Sequence, residues 1–222
     1  MNSVLFYFLL FISYSFLGWI IEVISCSITE KKICINRGFL VGPYLPIFGI
    51  GAIIIIVFFS KYKDDLLALF IISMVSLTAL EYFTSFLMEK IFRARWWSYE
   101  RRKYNINGRV SLIPALGFGF LSVVLLNVIN PAYIYILNKI SIVTLEVISI
   151  VFLIIFITDL IISSIIIFSL RKKINSPNRD VTEEVNREVK KVLKAKTSLT
   201  NRLKRAFPNV NYNDKKKKSK FI

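Results

Sequence analysis

Four acidic residues lie within long apolar stretches of the sequence, and no Lys or Arg occurs inside those stretches. They are Glu22, Glu81, Glu146 and Asp159. A charged carboxylate at the centre of a bilayer costs about 3 kcal/mol on insertion scales, so each acid needs a partner, water or a proton. Glu146 lies near the end of its stretch, where we expect water to solvate it. The other three are the candidates for chemistry inside a membrane.

Two arginines lie in loops that follow the stretches containing Glu22 and Glu81. Arg37 and Arg109 occupy matched positions in these loops and are the cations there that we consider as partners of Glu22 and Glu81. We expect the loops to fold back, so that the two arginines pair with the two glutamates in either combination. Such pairs would be purely structural, or they would line a polar path for a substrate.

Asp159 stands near the middle of its apolar stretch. Ser163 follows it by four residues, which places both side chains on one face of a helix. A buried carboxylate with few partners tends to carry a proton, so Asp159 is the candidate for a titrating or ion-coordinating group. The alternative is a Ser–Asp contact that only serves helix packing.

The apolar stretches are long enough to cross a bilayer, which requires roughly 20 helical residues. Helices are expected because an open sheet edge would leave backbone groups unpaired in lipid. The sequence therefore predicts an all-α integral membrane bundle of five transmembrane helices. The predicted spans are residues 4–28, 44–60, 66–88, 112–129 and 142–170.

The basic residues predict the orientation of these spans. The chain has 222 residues, is 55% hydrophobic and carries a net charge of +16, a combination that disfavours a soluble enzyme, a secreted disulfide scaffold and a disordered chain. Of its 30 Lys and Arg residues, 27 fall after the first, third and fifth spans. The positive-inside rule therefore places the N-terminus outside and the C-terminus in the cytoplasm.

A Pro-x-x-Gly-x-Gly motif begins the second and the fourth predicted span. Each copy follows a span with one Glu and a loop containing Asn, Gly and Arg, so spans 1–2 and 3–4 would form a two-fold parallel repeat. The alternative is a chance match, because Gly and Pro are common at the ends of membrane helices. The motif residues are Pro46, Gly49, Gly51, Pro114, Gly117 and Gly119.

The loop after the third span interleaves aromatic and basic residues, among them Arg95, Trp96 and Trp97. Beside a membrane, Trp and Tyr lie at the headgroup level, and Arg and Lys bind anionic lipids. We therefore expect a cytoplasmic interface with anionic lipid at the inner leaflet, and no nucleic acid. Docking of a cytoplasmic partner is the alternative.

The composition changes at residue 171, which divides the chain into a transmembrane domain (1–170) and a basic cytoplasmic tail (171–222). Apolar residues recur at helical spacing over 178–207, which predicts an amphipathic helix lying on the inner leaflet. Residues 208–222 are lysine-rich and predicted to be disordered.

Several kinds of chemistry find no support in the sequence. It contains no His, which excludes Ser–His and Cys–His nucleophile systems, and no Gly-x-x-x-x-Gly-Lys-Ser/Thr phosphate loop. Two cysteines without His make a poor metal site. We therefore expect neither an enzyme nor a bound metal or cofactor.

Four separated motifs resemble a bacterial family of multi-pass membrane proteins, the putative ABC-transporter type IV family. The motifs read FLGWIIE (16–22), NRGFLVGP (36–43), WWSY (96–99) and NINGRV (105–110). The resemblance implies a permease or membrane subunit of a transport system in the bacterial cytoplasmic membrane. A separate ATPase subunit and a homodimer would then be expected as partners. The alternative function is a scaffold or signalling protein that recruits partners or anionic lipid through its basic segments.

Overall fold

A computed structural model describes residues 2–31, 33, 38–92 and 97–172 of the chain. The predicted tail therefore lies outside the described residues beyond position 172, as do Arg37, Arg95 and Trp96. The described part is mostly helical. Its helices are α1 (Ser3–Glu30), α2 (Pro46–Ile54), α3 (Leu66–Phe92), α4 (Leu112–Val124), α5 (Asn130–Leu137) and α6 (Ile142–Lys172).

Two of these helices continue through a π-helical turn. Residues Ile55–Phe59 form such a turn after α2, and a 3₁₀ turn at Ser60–Tyr62 ends the segment. The turn Leu125–Ile129 joins α4 to α5, so that one apolar helix runs over Leu112–Leu137. The fourth span is thus longer than the predicted 112–129.

Four helices of the described part are long and apolar enough to cross a membrane: Ser3–Thr29, Leu66–Phe92, Leu112–Leu137 and Ile142–Ile165. The segment Pro46–Tyr62 is apolar but shorter. It begins at Pro46 rather than at Tyr44, because proline fits the first turn of a helix and the segment before it is not helical. The second predicted span, and with it the count of five, stays a prediction, as does the orientation of the bundle.

Polar residues at the start of three helices explain where those helices begin. Asn2 caps α1 by accepting a hydrogen bond from the backbone N of Val4 at 3.0 Å. Asp65 accepts from the N of Ala68 at 3.0 Å at the start of α3. Ser141 does the same for Thr144 at 3.1 Å before α6. Each cap satisfies a backbone donor that has no partner inside its helix.

The helices pack mainly as neighbouring pairs, α1 with α2 and α3 with α4, while α6 packs against α1. Both α2 and α4 begin with the Pro-x-x-Gly-x-Gly motif and run into a π-helical turn. This pairing is the arrangement that a two-fold repeat would produce, but the repeat itself stays a prediction.

The side chains are distributed as expected for helices surrounded by lipid. Small polar residues are buried: Ser15, Ser73 and Ser149 are 0% exposed, while most large apolar residues of α6 are exposed. Small side chains let membrane helices approach one another closely, and exposed apolar surface of this extent is unstable in water. The surface therefore supports a bilayer as the surrounding medium.

One element departs from the predicted all-α fold. Strands β1 (Asn105–Ile106) and β2 (Val110–Ser111) pair antiparallel, with Asn105 opposite Ser111 and Ile106 opposite Val110. This hairpin lies between α3 and α4 and contacts both of them. It forms where Asn107 and Gly108 take positive φ angles of 53° and 66°, which Asn and Gly adopt most easily.

Candidate functional site

The N-terminal ends of α1 and α6 lie side by side. The backbone N of Asn2 donates to Oε1 of Glu146 at 3.3 Å, so both helices start at the same level. Ser15 of α1 follows Asn2 by 13 residues, and Asp159 of α6 follows Glu146 by 13 residues. At a rise of about 1.5 Å per residue, these two lie about 20 Å further along each axis. Ser15 and Asp159 therefore share one depth, well inside the apolar part of both helices.

The non-helical segment 38–45 reaches that depth. The N of Leu45 donates to the backbone O of Ser15 at 2.9 Å, and Gly38 has a φ of 95°. Helix α2 therefore begins halfway along α1 rather than at its end. Irregular backbone inside a membrane is tolerated only where protein satisfies its polar groups or where it lines a wet cavity.

Asp159 satisfies the polar groups of this segment. Its Oδ1 accepts from the N of Val41 at 3.0 Å, and its Oδ2 accepts from the N of Gly42 at 2.6 Å and from the hydroxyl of Tyr44. Ser163 donates to Oδ1 at 2.9 Å, as the helical spacing predicts. The carboxylate of α6 is thus the acceptor that holds segment 38–45 in place.

Aromatic rings surround this contact. Phe156 lies one turn before Asp159, and its ring contacts those of Phe8, Phe11 and Tyr44 at centroid distances of 6.1, 5.4 and 5.8 Å. Edge-to-face contacts of this kind add to the stability that burial alone provides. The surroundings of Asp159 on this side are apolar and packed, which favours a structural role for the carboxylate.

The hairpin positions Arg109 against α3. Its turn is closed by a bond from the N of Arg109 to the O of Ile106 at 3.0 Å. The Nη2 of Arg109 then lies 2.7 Å from Oε2 of Glu89, and Nη1 lies 3.4 Å from Oγ of Ser85. Its guanidinium also faces the rings of two residues of α3, Tyr82 and Phe86, at 5.7 and 5.5 Å.

The predicted pairing of Arg109 with Glu81 or Glu22 is therefore not formed. Glu89 is its ionic partner, two turns further along α3 than Glu81, because the hairpin turns the chain back beneath the end of that helix. Arg37, the other predicted partner, lies outside the described residues. Whether these groups line a substrate path stays a prediction.

Glu81 is buried, with 6% of its surface exposed, on the inward face of α3. The hydroxyl of Tyr99 donates to Oε1 at 2.9 Å, while Oε2 has no hydrogen-bond partner. Tyr99 belongs to the loop before the hairpin, outside the spans. Burial raises the pKa of Tyr99 well above its usual range, and the negative charges of Glu81 and Glu22 raise it further. Glu22 therefore lies close enough to act on the same phenol.

Trp97 anchors the loop to the hairpin. Its indole Nε1 donates to the backbone O of Arg109 at 3.0 Å, and the N of Tyr99 donates to the O of Gly108 at 2.7 Å. Asn107 reaches α3 through a bond to the hydroxyl of Tyr82 at 2.9 Å. Loop, hairpin and α3 thus form one connected unit that carries both Tyr99 and Arg109.

The glycines of the two Pro-x-x-Gly-x-Gly motifs do not all have the same role. A Cβ added at Gly49 would lie 2.2 Å from Oγ of Ser15, and one at Gly119 would lie 2.9 Å from the backbone O of Phe70. A Cβ added at Gly51 would lie further from its neighbours, and one added at Gly117 would have no atom within 4 Å. Gly49 lets α2 approach α1, and Gly119 lets α4 approach α3. Pro46 occupies the first turn of α2, and Pro114 lies near the start of α4.

Three contributors to these sites were not predicted from the sequence. Tyr44 and Tyr99 supply the side-chain donors to Asp159 and Glu81, and Glu89 supplies the acceptor for Arg109. The Asn107–Gly108 dipeptide is a strong hairpin signal that could have placed Arg109 correctly. Nothing local in the sequence signals either tyrosine, because each reaches a distant helix. Among the described residues no group of three His, Cys, Asp or Glu could hold a metal ion.

The comparisons with known proteins give one result. No match was found among curated proteins, and none among solved structures. A family model matches residues 9–164, a region that contains α1 to α5 almost entirely, most of α6, and both Glu81 and Asp159. Since this match covers more than half of the chain, the protein belongs to the family described as Putative ABC-transporter type IV.

Proposed function

We propose that this protein is the membrane-embedded subunit of an ABC-type transport system. Its family and its four long apolar helices support a membrane protein of such a system. In this proposal, the helices enclose a polar path beside Glu81, and the unit formed by loop 97–104 and the hairpin docks a separate ATPase. The observation that carries the proposal is the inward position of Glu81, a buried acid joined to a basic loop at one end of the bundle.

A separate ATPase is required because the chain contains no phosphate loop of its own. The charge on the loop supports a docking role. Arg101 and Lys103 are exposed, whereas Arg109 of the same unit is buried and paired with Glu89. The exposed cations are therefore available to an acidic partner surface, and long-range attraction between opposite charges speeds such an encounter.

The docking role is tested by purification from the native cell in mild detergent, followed by an assay of ATP hydrolysis. The double substitution Arg101→Ala with Lys103→Ala should remove the co-purifying activity. The matched control is Lys61→Ala with Lys63→Ala, which removes the same charge from exposed residues before α3. The proposal fails if no ATPase activity accompanies the protein, or if both double variants behave alike.

A scaffold without transport is the second candidate, and the packed aromatic surroundings of Asp159 favour it. The two functions differ in whether water reaches the interior of the helical bundle. In a chain with Cys26→Ser and Cys34→Ser, we would place a thiol at the fully buried position of Ser73→Cys. A transporter should let a charged thiol reagent reach this inner face of α3, and a scaffold should not. Phe83→Cys, at a position 60% exposed on the outside of the bundle, where we expect lipid, is the unreactive control.

A further inference from the structure

The carboxyl group of Glu81 has one oxygen with a donor and one without. Oε1 accepts the hydroxyl hydrogen of Tyr99 at 2.9 Å, and Oε2 has no partner although the side chain is only 6% exposed. A charged carboxylate needs donors or a cation around both oxygens once water is removed. One neutral hydroxyl does not supply this, so the described residues do not compensate a charge on this carboxyl group.

The cations of the described part do not fill that position. Arg109 is the buried cation nearest along the hairpin, and its two terminal nitrogens are directed to Glu89 and Ser85. Arg102 lies over the ring of Tyr99 with its guanidinium carbon 5.5 Å from the centroid, not against Glu81.

A second acid among the described residues faces the same region. Glu22 from α1 acts on Tyr99 together with Glu81. Within the part of the chain that the structure describes, the groups around Glu81 are thus one acid from α1, a phenol and an arginine from loop 97–104, and the Arg109–Glu89 pair at the hairpin.

We propose that Glu81 is a proton-binding site, with an exchangeable proton on Oε2 and with Tyr99 closing the site from the loop. A proton is the ligand that the geometry fits, because it removes the buried charge without the several ligands that a metal ion needs, and the described residues offer no cluster of acids for a metal ion. The use of this proton in coupling transport rests on the proposed function. The binding of the proton does not.

Tyr99 connects the proton site to the hairpin. Its hydroxyl contacts Glu81, and its backbone N donates to the O of Gly108 at 2.7 Å. A partner that moved the hairpin would therefore move the phenol away from Oε1 and open the carboxyl group to water. Docking at the loop and proton exchange at Glu81 thus become linked events.

Dicyclohexylcarbodiimide tests the site, because this apolar reagent reacts with protonated carboxyl groups. The O–H of the acid adds across one C=N bond, the proton moves to nitrogen, and the acylisourea rearranges to a stable N-acylurea without loss of any atom. The purified full chain at neutral pH should carry at least about tenfold more label on Glu81 than on Glu89 or Asp159, whose carboxyl oxygens have an ionic partner or several hydrogen-bond donors. Mass spectrometry of peptides locates the label.

Glu89 and Asp159 are internal controls within the same molecule, since each has charge-stabilising partners. Glu81→Gln should abolish the label, and Tyr99→Phe should increase its rate severalfold by removing the group that closes the site. Absence of label on Glu81 in the folded wild-type chain overturns the proton site. An unchanged rate in Tyr99→Phe overturns the closing role of Tyr99.

Sodium or potassium chloride in place of choline chloride separates a proton from a metal cation. The label on Glu81 should not change. If either cation suppresses it, the site belongs to that cation and the proton assignment is overturned. The measurement needs neither an ATPase nor transport, so its outcome is independent of whether the docking experiment succeeds.

Discussion

Asp159 and Glu81 are both acids on membrane-spanning helices, but their surroundings differ at the level of single atoms. Asp159 accepts four hydrogen bonds, two of them from backbone N–H groups. Glu81 accepts one, from a phenol. Hydrogen bonds to a carboxylate stabilise its charged form, and burial without them favours the neutral form. The two residues are therefore suited to different roles, one as an anchor and one as a proton carrier.

Substitution of Asp159 should destabilise the bundle more than substitution of its helical neighbour. Asp159→Leu leaves the N–H groups of Val41 and Gly42 and the hydroxyl of Tyr44 without an acceptor. We expect a loss of about 3 kcal/mol in the free energy of unfolding, since unsatisfied buried donors are costly. Ser163→Ala removes one donor and no acceptor, so about 1 kcal/mol or less is expected. Reversible unfolding in mixed micelles, followed by circular dichroism, measures both. Equal losses would contradict the anchoring role.

Tyr99 should make the stability of the loop depend on pH in the alkaline range. The pKa of a phenol in an unfolded chain is about 10, and burial raises the pKa of Tyr99 in the folded protein. The contribution of the neutral Tyr99 phenol to the free energy of unfolding is therefore fully present below about pH 10. It is lost as the pH rises through the higher pKa of the folded state.

Ultraviolet absorbance of tyrosinate measures this titration, by difference between the wild-type chain and Tyr99→Phe. The difference curve should rise well above pH 10. Glu81→Gln should shift the curve to lower pH but not to the ordinary value, because burial remains as the largest cause of the raised pKa. A difference curve centred near pH 10 would show that the phenol is not held in the buried contact.

At the level of elements, the start of α2 depends on one glycine. Gly49→Ala would bring a Cβ within 2.5 Å of the backbone O of Phe11, and backbone cannot move aside as a flexible side chain can. We expect a loss of about 2 kcal/mol or more, from overpacking between α1 and α2. Gly117→Ala is the matched control, since it lies at the corresponding motif position with nothing within 4 Å.

Gly117→Ala should be neutral or stabilising by up to about 1 kcal/mol, because alanine is the better helix former. Thermal unfolding of both variants in one detergent gives the comparison. If the two substitutions had the same effect, α2 would not approach α1 as closely as described.

The elements also show where prediction from the sequence succeeds and where it ends. Length and hydropathy predict α1, α3 and α6 because these properties are local. They place the segment of α2 to within two residues, but they do not show that it begins beside the middle of α1, because that depends on a contact between Leu45 and Ser15. The partner of Arg109 was missed for a related reason: Glu89 follows the predicted end of its span, and only the hairpin brings it into reach.

For the whole molecule, the predicted topology assigns each of three positions to one side of the membrane. In a chain with Cys26→Ser and Cys34→Ser, we expect Ser3→Cys and Asp64→Cys to react with an impermeant thiol reagent in intact cells. Lys103→Cys should react only after permeabilisation, since the positive-inside rule predicts that the basic loops face the cytoplasm. If Ser3 and Asp64 proved to lie on opposite sides, Pro46–Tyr62 would not cross the membrane. If Lys103 reacted in intact cells, the orientation would be reversed.

The contact between Asp159 and segment 38–45 has a consequence for biosynthesis. Val41 and Asp159 are separated by 118 residues, so the acceptor for the N–H of Val41 does not yet exist when α2 leaves the ribosome. At about 5 to 20 residues per second, the interval is roughly 6 to 24 s. During that time α2 packs against α1 and then against α3 and α4, but segment 38–45 lacks its acceptor until α6 is inserted. A chain whose synthesis stops before codon 159 would therefore lack the acceptor for the N–H groups of Val41 and Gly42 at the start of its second helix.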